Sequence, residues 1–167
     1  MNATKAKGRG RPRNFDPETA LGRARDVFWD AGYSAASLDE LASAMEMNRP
    51  SVYAAFGDKE ALYLKSLADY RDAGAVGLRA ALDQERSLAE GLREAYRSAL
   101  SVYCGDPDAP RGCLLIGTAA VESVRNPRVR AALSGAAEIS FGSLKSKTKS
   151  AGVCFTQFST KAIGGTR

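Results

Sequence analysis

The segment SLDELASAMEMNRPSVYAAF, Ser37 to Phe56, holds two short runs of helical periodicity around a four-residue break. Ser37 stands three residues before Glu40, the spacing of a capping box, and Leu38, Leu41, Ala42 and Met45 then form one apolar stripe. Asn48 is a second N-cap, and Pro50 falls in the first turn of the next helix, where its missing N–H costs nothing. A helix over about 49–56 gathers Val52, Ala55 and Phe56 on one face. Arg49, Pro50, Ser51 and Ala54 then lie wholly or partly outside, with Tyr53 at the boundary. A guanidinium fork, a hydroxyl and a phenol on that outer side suit base edges and phosphates better than the Glu/Lys mixture of an idle surface helix does.

Outward from this stretch the chain reads as further helices. Upstream, Asp16-Pro17 suits a helix start, Leu21, Ala24 and Phe28 with Val27 and Ala31 make one face, and Gly32 should end it. Downstream, Asp58 caps a helix carrying Leu62, Leu64, Leu67 and Ala68 that is expected to run to about Ala73. Leu88, Leu92, Tyr96, Ala99 and Tyr103 predict an amphipathic helix stopped by CGDPDAPRG. The apolar segment CLLIGTAAVESV ends at Asn126-Pro127, and a last helix is expected from Pro127 to about Leu144. No stretch alternates like a strand and none repeats, so the expected fold class is all-α.

Composition narrows the chemistry. The 167 residues are 44% hydrophobic and 26% charged, an ordinary globular mixture. No run approaches the eighteen or so apolar residues needed to cross a bilayer, and the basic N-terminus lacks an apolar signal core, so a cytoplasmic protein with no membrane partner is expected. Histidine is absent, which removes the usual general base and the commonest metal ligand. Cys104, Cys113 and Cys154 match neither a disulfide framework nor a zinc site. No nucleophile–base pair or phosphate-cradling glycine loop stands out, so no enzyme, cofactor or metal is expected.

The net charge of +5 is unevenly spread. Residues 1–14 hold Lys5, Lys7, Arg9, Arg11 and Arg13 and no acid, while 145–167 hold Lys145, Lys147, Lys149, Lys161 and Arg167 and again no acid, leaving an acidic body between. Arg9-Gly10-Arg11-Pro12 resembles an AT-hook, in which arginines enter an A·T-rich minor groove. A solvated charged tail is the other reading.

A basic arm, a helix, the Ser37–Phe56 segment and then GDKEAL together resemble the TetR (tetracycline repressor) family of bacterial transcription regulators, over residues 9–70. RGCLLIGTAAVE at 111–122 is similar to a stretch found in one branch of that family. The resemblance implies that Ser37 and Tyr53 bind phosphates, that Lys59 points its ammonium at the DNA backbone, and that Arg49, Pro50 and Ser51 meet base edges. Asn48 either contacts DNA or only caps its helix. The family further implies a homodimer that reads a palindromic double-stranded operator with recognition helices about 34–36 Å apart, and a small-molecule effector that releases it. Tyr96, Tyr103, Cys113, Leu114 and Leu115 are the candidate pocket residues, with plain core as their alternative reading. Cys113, at a helix start beside Arg111, is either a thiolate sensor of oxidants or electrophiles or a small buried hydrophobe. An architectural A·T-rich binder working through the arm alone is the rival of another class.

Two departures from the family accompany the match. Glu46 occupies a turn position usually held by glycine, where a positive φ costs other residues about 1–2 kcal/mol. After Leu144 the sequence loses its acids and its helical periodicity, which raises the expectation of truncation or a shifted reading frame. The expected organisation is an arm at 1–14, a helix-turn-helix domain at 15–60, a helical regulatory and dimerisation domain at 61–144, and an atypical basic tail at 145–167.

Overall fold

Asp16 opens the first helix by accepting from the Thr19 backbone N–H at 3.0 Å, and Pro17 follows with its φ already helical. The computed structural model describes residues 15–82, 85–105 and 110–150, apart from the side chains of Phe141 and Ser150. Every regular element among the described residues is helical: α1 (Pro17–Ala35), α2 (Leu38–Ala44), α3 (Arg49–Phe56), α4 (Lys59–Ala81) and α5 (Leu88–Tyr103). A π-helical turn (Leu115–Ala119) runs into α6 (Ala120–Ser123), and α7 (Pro127–Ser150) follows. Gly32 interrupts α1 with φ 78° and ψ 169°, a conformation that a side chain would strain. No described helix is long and apolar enough to cross a membrane.

The core forms where α1 crosses α2 and α4. Ala20, Ala24 and Phe28 of α1 are buried at one-turn spacing against Leu41, Val52, Leu62, Tyr63 and Leu67. Rings interlock there: Phe28 meets Tyr63 edge-on at 4.9 Å and Tyr33 lies 4.8 Å from Tyr63. Each large side chain so buried contributes about 1.5–3 kcal/mol. Leu114, Ala119 and Val129 join this same cluster, so the core runs on across the expected boundary between residues 60 and 61.

Four expectations about helices are corrected. Ala31 is exposed, because the packed stripe of α1 follows Ala20, Ala24 and Phe28 and the chain breaks at Gly32. α4 continues past Ala73 to Ala81 through Gly74 and Gly77, since packing of α5 and α7 along it outweighs a glycine cost of about 1 kcal/mol. α7 continues past Leu144 to Ser150, with Lys147 and Thr148 buried and Lys147 donating to the Arg86 carbonyl at 2.6 Å. A lysine can serve a helix in this way because its methylene stem packs while its ammonium reaches an acceptor. The last correction concerns α5, for whose Tyr96 plain core was one reading: Tyr96 and Leu92 are exposed, as are Leu100 and Val102 beside the stripe, Leu88, Ala99 and Tyr103 are half-buried, and Gly91 is the one buried residue. α5 approaches α4 so closely at Gly91 that a Cβ would lie 3.0 Å from the Ala81 carbonyl oxygen, while Leu92 and Tyr96 of the stripe stay in solvent. Residues 151–167 lie outside the described residues.

Candidate nucleic-acid interface

The α2–α3 unit is assembled from its caps. Ser37 Oγ accepts from the Glu40 N–H at 3.1 Å and Glu40 Oε2 accepts from the Ser37 N–H at 2.8 Å, completing the capping box. The Ser37 backbone N–H, then its hydroxyl, hold the Glu40 carboxyl below the usual carboxylate range, with the Lys59 charge adding to the effect. At α3, Asn48 Oδ1 accepts from the Ser51 N–H at 2.9 Å. Asn48 is therefore a cap, and its amide NH2 is a separate donor.

The turn between the two helices has the geometry that glycine usually supplies. Glu46 sits at φ 54°, the one positive-φ non-glycine among the described residues. Its carboxylate reaches back to Arg23 of α1 at 2.8 Å. Val52 and Phe56 anchor α3 in the core, and Lys65 donates to the Phe56 carbonyl at 3.0 Å to close the helix end. Fixed in this way, α3 exposes Arg49 and Pro50 at its start and Tyr53, 47% accessible, one turn on; Ser51 is half-buried.

Two candidate contacts differ from the expectation. Arg49 does not project freely: its Nε donates to Asp39 Oδ1 at 2.5 Å and its Nη2 donates to Asp39 Oδ2. These bonds hold the Asp39 carboxyl below its ordinary range and push the guanidinium's value up. The Lys59 ammonium lies 4.7 Å over the Tyr33 ring, a cation–π contact, where a backbone-directed ammonium was expected. Asp39, Arg23, Lys65 and Tyr33 were all missed as supports of this surface; each acts across a distance in sequence that helical periodicity does not measure. Arg9, Arg11 and Arg13 of the arm lie outside the described residues.

The five candidate pocket residues are not gathered together. Leu114 is fully buried in the core and Leu115 packs against it, while Tyr96 is 73% exposed on α5. Tyr103 and Cys113 do meet, with Tyr70 between helices: the Tyr70 hydroxyl donates to Cys113 Sγ at 3.7 Å, and burial pushes both phenols up. Arg111, expected beside that thiol, instead donates to Asp30 at 2.7 Å and to the Asp26 carbonyl at 2.9 Å and stacks 4.7 Å from the Trp29 ring, tying its loop to α1. A cavity of about 590 Å³ opens elsewhere, between α4 and α7, lined by Arg79, Leu82, Glu138, Ile139, Ser143 and Lys147 among others. No group of His, Cys, Asp or Glu among the described residues is arranged to hold a metal.

Residues 20–65 match the family described as "Bacterial regulatory proteins, tetR family". The chain is similar to the HTH-type transcriptional repressor ComR of Escherichia coli (strain K12), at 37% identity over 110 residues that make up 66% of this chain and 52% of ComR. It is also similar to the HTH-type transcriptional repressor BdcR of the same strain, at 35% identity over 107 residues, 64% of this chain and 54% of BdcR. The chain thus spans about half the length of the curated relatives it matches. Among solved structures, a cysteine mutant of the TetR family transcriptional regulator CifR complexed with 26bp double-strand operator DNA matches with a TM-score of 0.68 and 36% identity, over 89% of this chain and 79% of that one.

Proposed function

We propose, starting from the fact that this chain belongs to the TetR family of bacterial regulatory proteins, that it is a transcriptional repressor whose α3 reads a double-stranded operator. The observation that carries the reading is α3 itself: a short helix locked into the core by Val52 and Phe56 and presenting Arg49, Pro50 and Tyr53 outward from a capped start. In this assignment Ser37 and Tyr53 bind phosphates through their hydroxyls, and Lys59 adds positive charge near the backbone. Arg49 pairs with a guanine at about 1–3 kcal/mol of discrimination, Pro50 packs on a thymine methyl, and Ser51 and the Asn48 amide reach nearby edges. A homodimer with its two α3 helices about 34–36 Å apart reads a palindrome. A small-molecule effector releases it by binding more tightly to a form with another spacing, and shifts the equilibrium only by that difference in affinity. Work on an operator places it in the cytoplasm, and no catalytic role is assigned.

Selection of duplexes from a randomised pool by the 167-residue chain tests this reading. A palindromic consensus is the expected product, and Arg49→Ala should erase preference at one position in each half. Removal of residues 1–14 should weaken binding and leave the consensus intact. Loss of all binding on that removal would mean an arm-only architectural binder, and a pool with no consensus would overturn the proposal.

A second reading of the signal rests on the Tyr70–Cys113 contact, which sets a phenol hydroxyl against a half-buried sulfur between helices. Oxidation of Cys113 would then release DNA. Oxidant-dependent release that persists in Cys113→Ser would end that reading.

A further inference from the structure

We infer that Asp39 determines specificity on this surface: it holds Arg49 by one edge of the guanidinium and leaves the other edge to read a guanine. The inference rests on the reading of α3 as the DNA-contacting helix and adds a residue that this reading does not use. Arginine carries five N–H donors in a rigid plane. Asp39 takes one from Nε and one from Nη2. Both donors on Nη1 and the second on Nη2 remain, and the Nη1/Nη2 end of the plane is a complete two-pronged donor matched to guanine O6 and N7. Arg49 can therefore read a base without leaving Asp39.

The pair is held at both ends by elements already fixed. Asp39 lies in the first turn of α2, which the Ser37–Glu40 capping box secures, and Arg49 opens α3, which the Asn48 cap secures. Its two side chains are 54% and 72% accessible, and an ion pair so exposed adds little to folding. What it does alter is the behaviour of Arg49 toward DNA. A free arginine on a recognition helix is a mobile cation that any phosphate attracts, whatever the sequence. Tethered by its side edge, it gives up that freedom before binding, so less is lost when the guanine contact forms. The carboxylate also offsets the positive charge and repels phosphate. Among bases it can accept only from an exposed amino group such as cytosine N4. Asp39 thus suppresses sequence-independent attraction while orienting the contact that carries information. It is a positioning residue, acting through Arg49.

The experiment compares the wild-type chain with Asp39→Asn, Asp39→Ala and Arg49→Ala. Affinity is measured by fluorescence anisotropy for the duplex selected by the wild type, for that duplex with the Arg49-dependent guanine replaced, and for a scrambled duplex. Asp39→Asn keeps the size of the side chain and removes its charge and one acceptor, and Asp39→Ala removes the tether altogether. The wild-type preference for the guanine should be on the order of tenfold or more. Both Asp39 variants should lose most of that preference, at that position alone, and should bind the scrambled duplex more tightly than the wild type does. Preserved guanine preference in both Asp39 variants, with loss in Arg49→Ala, overturns the inference and leaves the operator reading standing. Unchanged preference in Arg49→Ala also overturns it, because Arg49 would then not read the base. A wild-type chain that selects no sequence removes the operator reading and the inference with it. Because the site is exposed, melting temperatures close to wild type are expected. An Asp39 variant that loses affinity equally for all three duplexes would show a structural role and overturn the inference.

Discussion

α3 and α5 each leave half or more of their residues exposed and differ in what they expose. α3 has a modest apolar face, two buried anchors and a polar outside in which Asn48, Ser51 and Arg49 are tied by named hydrogen bonds. α5 has a long apolar stripe and a complete capping box from Ser87 and Glu90, yet one buried residue, Gly91. Strong periodicity shows that a helix has two faces; it does not show that the structure covers the apolar one. Burial depends on partners, and α2 and α4 supply them for α3 while α4 alone meets α5 closely.

The largest expected effect lies on the covered side of this comparison. Phe28→Ala empties a fully buried site between Tyr33 and Tyr63 and should cost about 3–5 kcal/mol in a urea unfolding curve. A cost below about 1 kcal/mol would mean that the core around α3 is no better packed than the face of α5. The buried phenols make a related test. Burial raises Tyr63 and Tyr70 above the ordinary value of 10.0, so the folded state keeps their protons longer than the unfolded chain does. That contribution to stability is whole below pH 10 and is lost as the pH rises past it. Tyr70→Phe should blunt the alkaline loss, and thermal melts from pH 8 to 11 would register it.

Near α3, Asn48→Ala removes the cap that starts the helix and should cost about 1 kcal/mol. The operator affinity should fall further than the stability, because Arg49 and Pro50 begin from that capped turn. Equal losses would mean that the first turn of α3 contributes nothing beyond the fold.

How far these regions could be read in advance follows the same division. Caps, the interruption at Gly32 and the positive φ at Glu46 are local, set by a few consecutive residues, and they stand where the sequence placed them. The Arg49–Asp39 fork, the Lys59–Tyr33 stack and the Arg111–Asp30 tie join residues from different elements, and no spacing within a helix announces them. The ends of α4 and α7 lie beyond their sequence-based limits for a related reason: Gly74 and Gly77 disfavour a helix by themselves and residues 145–149 carry no apolar stripe, while packing of α7 on α4 and the Lys147–Arg86 bond come from other elements. The candidate pocket was scattered because one apolar spacing describes core residues such as Leu114 and exposed ones such as Tyr96 equally well.

Glu46→Gly gives a smaller effect of the opposite sign. Relief of the left-handed backbone should contribute about 1–2 kcal/mol. The greater freedom of glycine in the unfolded chain offsets about 0.5–1 kcal/mol of it, and the exposed pair with Arg23 offsets a few tenths more. A net gain below about 1 kcal/mol should appear as a slightly raised melting temperature. A net loss would mean that Arg23 holds the turn more firmly than an exposed ion pair usually does.

The smallest change is expected on the uncovered side, and it tests the comparison most directly. Tyr96 is 73% exposed, and serine and tyrosine have similar helix propensities, so Tyr96→Ser in an isolated chain removes little packing and little helix preference. Its stability should stay within about 0.5 kcal/mol of wild type, and the difference should not depend on protein concentration. Association through α5 would change both results together, because a side chain buried between copies stabilises the fold by mass action. A loss of about 1.5 kcal/mol or more that grows with concentration, with a lower sedimenting mass for the variant, would therefore place α5 among the covered faces. The contrast with α3 would then be one of where the partner comes from: the same chain for α3, a second copy for α5.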